Sequence, residues 1–317
     1  MKLSENIQNK FRCPRTKEKL KLKGNFLVSV ADPGIKYPLI DNVPVLINEE
    51  NSLFSVDDFI NKTDTTFCVH KSPLKIFLGK IKNFLQPDIS LNIKAEETYQ
   101  ELASLLPKNA AILVIGGSIK GNGMDAIYAN KSYEIVSSDV SFGPYVGIIS
   151  DAHDIPFEEG TFDCVIIQAV LEHVLDPHRC ISEVHRVLKP SGMVYADTPF
   201  MQQVHMKQYD FTRFTHLGHR RLFRNFEEIN SGPSCGPGMA LAWAYKSFLT
   251  SFATTRQVER LLLFFAAITS FYLKYFDYYL INKPGSYDSA AAFFFIGKKS
   301  NDCLPDKELI KQFKGKK

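Results

Sequence analysis

The chain has 317 residues, 45% of them hydrophobic and 23% charged, a balance that supports a packed core and excludes a disordered or low-complexity protein. The net charge of +4 is modest and gathers near the two ends, so no nucleic-acid partner is expected. The six cysteines, Cys13, Cys68, Cys164, Cys180, Cys235 and Cys303, form no CxxC pair, which argues against a disulfide framework or a zinc site and fits a reducing compartment. No metal is expected, and the first residues, MKLSENIQNKFRC, lack the apolar run of a signal peptide, so the expected location is the cytoplasm.

In chain order, residues 1–50 form a small β-rich module: Phe26 to Val30 reads as a strand, Asp32-Pro33-Gly34 as a turn, and Tyr37 to Ile47 as a strand pair about Asp41-Asn42. Residues 51–92 read as a linker plus a basic amphipathic helix over Lys75 to Leu85, suited either to packing on the main domain or to touching a membrane. From residue 93 to 300 strands and helices alternate. A helix over Glu96 to Leu106 precedes the strand Ile112 to Ile115, and a helix around Met124 to Asn130 precedes the strand Glu134 to Ser138. The strands Val146 to Ile149, Cys164 to Ile167 and Met193 to Ala196 follow, the last two separated by a helix that Asp176-Pro177 opens and Lys189-Pro190-Ser191-Gly192 closes. This order predicts a doubly wound α/β sheet with its ligand at the carboxyl ends of the strands.

The strand Ile112 to Ile115 runs into Gly116-Gly117-Ser118-Ile119-Lys120-Gly121-Asn122-Gly123, glycines that admit positive φ and a ligand lying on the backbone. The spacing is not G-x-G-x-x-G, and no Gly-Lys-Ser/Thr follows, so neither a dinucleotide nor a P-loop nucleotide fits. A nucleoside-like ligand without a pyrophosphate remains, with Asp139 at a strand end able to accept both ribose hydroxyls.

The block Asp151-Ala152-His153-Asp154-Ile155-Pro156-Phe157, then Gly160-Thr161-Phe162-Asp163, Val170-Leu171-Glu172-His173-Val174 and Arg186-Val187-Leu188-Lys189-Pro190-Ser191-Gly192, closely resembles class I S-adenosylmethionine-dependent methyltransferases, more narrowly the type 11 group. The resemblance covers roughly residues 95 to 235. It implies a seven-stranded, mostly parallel Rossmann-like sheet whose last strand, Ala291 to Ile296, runs antiparallel and pairs with Phe226 to Ile229. It also implies S-adenosyl-L-methionine as cofactor: Gly116, Gly117, Ser118 and Gly121 around the methionine, Asp139 at the ribose, Asp151 and Ala152 at the adenine, and Gln168 near the sulfonium. The loop departs from the usual GCGxG by being longer before Gly121 and Gly123. Cys13-Pro14 and the segment Tyr37 to Leu46 resemble a Trm112-like zinc ribbon, but Thr16 stands where its next cysteine would be, which implies a degenerate module serving as a cap or docking surface.

Methyl transfer asks mainly for in-line positioning, plus a base when the acceptor is a hydroxyl. His205 is the candidate base, with Asp210 and Arg213 to orient it or bind substrate, or simply to pin the loop. A similar PF-x-x-x-H...D-x-x-R-x-T segment occurs in methyltransferases encoded with cell-surface glycan genes, which implies O-methylation of a small-molecule or lipid-linked glycan. Residues 238–284 form an apolar, aromatic helical insertion, and 301–317 a basic tail. The 13 uncharged residues Leu261 to Leu273 fall short of the roughly 20 that span a bilayer, so the insertion is expected to pack on the sheet, to meet the inner membrane face peripherally, or to form a homo-oligomer. The competing function is a non-catalytic methyltransferase-fold binding or scaffold protein.

Overall fold

The computed structural model describes residues 3–63, 65–66 and 87–316. The expected amphipathic helix over 75–85 lies outside these residues. In chain order the described helices are α1 (Glu5–Gln8), α2 (Val56–Ile60), α3 (Ala95–Leu105), α4 (Asp125–Ala129), α5 (Pro177–Val187), α6 (His216–Leu222), α7 (Pro237–Thr250), α8 (Arg256–Ser270), α9 (Asp277–Leu280), α10 (Pro284–Ser289) and α11 (Asp306–Leu309). The strands are β1 (Leu20–Lys23), β2 (Phe26–Ser29), β3 (Lys36–Ile40), β4 (Val43–Leu46), β5 (Ala111–Ile115), β6 (Glu134–Asp139), β7 (Ile148–Ser150), β8 (Phe162–Gln168), β9 (Leu188–Pro199), β10 (Phe226–Cys235) and β11 (Ala292–Lys299).

Strands β5 to β11 form a Rossmann-like sheet in the order β7-β6-β5-β8-β9-β11-β10. The first five are parallel, and β11 inserts antiparallel between β9 and β10. Alternate residues of β5 serve opposite faces: Leu113 and Ile115 enter one buried cluster, Ile112 and Val114 the other. A sheet covered on both faces needs such continuous apolar strands.

The first four strands extend this sheet. The Asp41-Asn42 turn, at φ 51° and 63°, folds β3 onto β4, and β4 then pairs in parallel with β7, Val45 opposite Ile149. No helix lies between β6 and β7. Phe54 and Phe59 instead join Val45, Ile47, Val146 and Ile149 in a buried cluster, so residues of the expected linker cover the sheet there. Cys13 is buried, its Sγ 3.2 Å from the Tyr37 hydroxyl. The module is fastened to the segment after β7: the Arg12 amide donates to the Pro156 carbonyl, Asn48 Nδ2 to Asp154, and Ser52 Oγ to Asp151 at 2.6 Å.

Helices α7 and α8 pack against each other through small residues, Ala242 and Ala267 among them. Phe248 on α7, Phe252 just past it, Leu261 on α8, and Tyr278 and Tyr279 on α9 are all more than half exposed. The helical run Arg256–Leu280, 25 residues, is long and apolar enough to cross a membrane by length and composition, and it packs against α7.

Candidate active site

A cavity of about 360 Å³ opens at the carboxyl ends of β5, β6 and β8, with Gly116, Gly121, Asp139, Asp151, Ala152 and Gln168 in its wall. Gly116 turns the chain out of β5 at φ +75°. Gly117 and Ser118, expected around the methionine, follow Gly116 in the same loop. The Gly117 amide donates to the Ser138 carbonyl, and the Ser118 amide to Asp139 Oδ2 at 2.9 Å, so both serve to fix the loop. Asp139 Oδ1 accepts the Ser141 amide, also at 2.9 Å. Burial raises the Asp139 carboxyl, and hydrogen bonds from the Ser118 amide and hydroxyl and from the Ser141 and Val140 amides counter it.

Asp151 is more committed. Its Oδ1 accepts from the His153 amide and ring Nδ1, and its Oδ2 from Ser52, leaving a lone pair on Oδ2 alone. Because His153 Nε2 accepts the Asp176 amide, the ring proton sits on Nδ1. Burial alone would raise the Asp151 carboxyl, but these donors outweigh it and hold it below its ordinary value. Gln168 is a strut: Oε1 accepts from Tyr99 and Nε2 donates to the Asn122 carbonyl, tying β8 to the glycine loop. Leu53 and Phe54, not anticipated from the sequence, complete the cavity from the linker side.

Past β8, Ala169 at φ +53° turns residues 170–174 across the strand ends. The loop after β9 meets them there: Phe211 and Thr212 amides donate to the Glu172 carbonyl. Arg213 grips both Asp210 oxygens and donates to the carbonyls of Gln202 and Gln203. Burial would raise the Asp210 carboxyl, but the Arg213 fork and the His205 amide overcome it and hold it at about 2. Asp210 Oδ2 stands 3.3 Å from His205 Nδ1, so the three sequence candidates do meet. Burial lowers the His205 and His173 rings, leaving both neutral at pH 7. Glu172, 1% exposed, completes the group; burial pushes its carboxyl up to about 8. An open cavity of about 770 Å³ adjoins, lined by Gln203, Asp210 and Arg213 and by Ala240 and Ala244 of α7. Val204 lines this cavity, and Met206 and His173 line the first; His205 lies between Val204 and Met206 in the chain.

Residues 117–196 match the family model described as Methyltransferase domain, of the type 11 group. The chain carries a class I S-adenosylmethionine-dependent methyltransferase domain. Over 83 residues it is 35% identical to the ubiquinone/menaquinone biosynthesis C-methyltransferase UbiE of Saccharophagus degradans, covering 26% of this chain and 33% of that protein. Over 50 residues it is 42% identical to a mitochondrial arginine-hydroxylase of Mus musculus, 16% of this chain and 15% of that one. The chain thus spans well under two thirds of the curated relatives it matches. Among solved structures, a Haemonchus contortus phosphoethanolamine N-methyltransferase complexed with S-adenosylhomocysteine aligns with TM-score 0.46 and 16% identity, covering 78% of this chain and 61% of that one. S-adenosylmethionine is the cofactor of the domain, and the residues present fit it: a cavity bounded by glycine backbone, with the carboxylate that ends β6 in its wall.

Proposed function

We propose that the protein transfers a methyl group from S-adenosylmethionine to a hydroxyl oxygen of a polar acceptor, a glycan or related intermediate of cell-surface biosynthesis, free or lipid-linked. The observation that carries this reading is the cluster of two neutral imidazoles and a buried carboxyl beside the cofactor cavity, whose wall His173 joins, where an acceptor hydroxyl could lose its proton. The cofactor supplies a methyl already activated on a sulfonium. Asp139 holds its ribose, Gly116 and Gly121 let it approach the backbone, and Leu53 and Phe54 exclude water. The open second cavity, with Arg213 and Gln203 in its wall, suits a hydroxyl-rich acceptor. Buried thiols at Cys13, Cys164, Cys180 and Cys235 support work in the cytoplasm.

Calorimetry with S-adenosylmethionine tests the first step. The wild type binds it, and Asp139→Ala weakens binding at least tenfold; a wild type that binds none returns the chain to the scaffold reading. Labelled cofactor offered with activated sugars then tests the acceptor, and transfer confined to amine or carbon acceptors rejects the O-methyl assignment.

The aromatic surface of α7 and α8 supports acceptor delivery at a membrane. Helix α7 walls the acceptor cavity through Ala240 and Ala244, while Phe248 on the same helix stands 62% exposed and Phe252, just past its end, 66%. The expected result is flotation with anionic liposomes, lost in Phe248→Ser/Phe252→Ser. Self-association without flotation assigns the surface to a second copy.

A further inference from the structure

The cluster beside the cofactor cavity holds more than a base requires. Glu172 Oε1 lies 3.6 Å from His173 Nε2 and 4.0 Å from His205 Nε2, and the three donors all fall within 4.8 Å of one another. Bonds of about 2.1 Å to a common ion place ligand atoms about 3 to 4 Å apart.

Each imidazole is oriented from behind. His173 Nδ1 is 2.6 Å from the Tyr209 carbonyl, which can only accept, so the proton is on Nδ1 and the Nε2 lone pair faces the cluster. His205 Nδ1 stands 3.3 Å from the Asp210 carboxylate that Arg213 fixes, which favours the proton on Nδ1 and leaves Nε2 toward Glu172. A ring N–H directed to a carbonyl or carboxylate, with the other nitrogen free, is the arrangement that holds metal-ligating histidines. Glu172 Oε2 is buried and has no hydrogen-bond partner. A carboxylate placed so is costly unless something positive meets it.

We propose that Glu172, His173 and His205 bind one divalent transition cation, whose remaining coordination positions take the acceptor hydroxyl. Two imidazoles and one carboxylate suit an ion of the manganese-to-zinc series. The bound hydroxyl releases its proton to water in the open cavity, the resulting oxygen attacks the cofactor's methyl carbon, and as the C–O bond forms the C–S bond breaks with its electron pair staying on sulfur. His205 is then a ligand, since its one free lone pair cannot also take the proton.

The catalytic role rests on the methyl-transfer reading; the ligand set does not. Tag-free full-length protein, stripped with chelator and dialysed, is titrated with Mn²⁺, Co²⁺ and Zn²⁺ separately, with S-adenosylmethionine binding measured on every sample. The expected result is one equivalent of cation per chain for at least one of the ions, weakened tenfold or more in His173→Ala and His205→Ala while cofactor binding persists. Glu172→Gln adds the third ligand, and the two histidine variants keep the test decisive if that buried change does not fold. Absence of binding by all three ions, or binding unchanged in both histidine variants, overturns the site. Cation binding lost in both histidine variants, in a wild type that binds no S-adenosylmethionine, upholds the site and rejects the methyl-transfer reading.

Discussion

Gly116 combines a φ of +75° with a crowded flank, because a Cβ there would stand 2.3 Å from Val170 Cγ2. Holding an L residue in the left-handed region costs roughly 1 to 2 kcal/mol before any clash is counted. Gly116→Ala is therefore expected to lower the melting temperature and weaken S-adenosylmethionine binding about tenfold or more, read by calorimetry on folded protein; unchanged affinity would show that the turn does not shape the cavity. Asp139 and Gly116 were legible in the sequence because a glycine turn after an apolar strand and an acid ending the next are local patterns. Ser118 also takes part in fixing the loop. Its position in the motif suggests a ligand contact, and its amide donates to Asp139. Glu172 and His173 stood in plain view as words of the family motif, and their chemistry emerged only when the loop carrying His205 was folded against them.

Among the elements, α7 depends on a residue 40 positions beyond its first. Asp277 is fully buried, and its two oxygens accept the Gly238 amide at 2.7 Å and the Met239 amide at 2.9 Å, satisfying N–H groups that the first helical turn leaves open. Gly238 has no room for a Cβ, which would sit 2.2 Å from the Leu273 carbonyl oxygen. Asp277→Ala should cost about 2 kcal/mol in urea unfolding, Asp277→Asn less because one acceptor survives; equal stability of all three proteins would remove the cap from the account. No sequence window contains this pair, so the insertion was legible as apolar helices but not in how it is anchored. The same holds for the linker. Ser52 and Phe54 lie in a polar stretch with no periodicity, yet parallel pairing of β4 with β7 carries them to the cofactor cavity. Hydrophobic runs and turn residues disclose the strands, whereas long-range pairing decides which of them meet.

For the whole molecule, buried titratable groups set the acid side of the stability profile. His216 and His219, on α6, pack against Phe293 and Phe295 of β11, and burial lowers their rings to about 4 and about 3. An unfolded histidine takes up its proton near pH 6.5, so between that value and the folded values the unfolded chain binds more protons. Stability from this pair is complete above pH 6.5 and is lost as the pH falls toward 3. Asp197 acts in the opposite sense. Burial raises its carboxyl to about 6 despite hydrogen bonds from Ser234 and Asn92, so its contribution falls as the pH rises from 3.8 to about 6. At about 1.4 kcal/mol per unit, the aspartate offsets roughly 3 kcal/mol, close to what His216 supplies, and Glu172, raised by burial from 4.5 to about 8, offsets what His219 supplies. The wild-type melting temperature should therefore change little with pH between about 4.5 and 6. Asp197→Asn should make it rise with pH there by removing one opposing slope, and His219→Leu should make it fall. A His219→Leu profile with the same slope as the wild type's would mean that this ring is hydrated or paired in the folded protein.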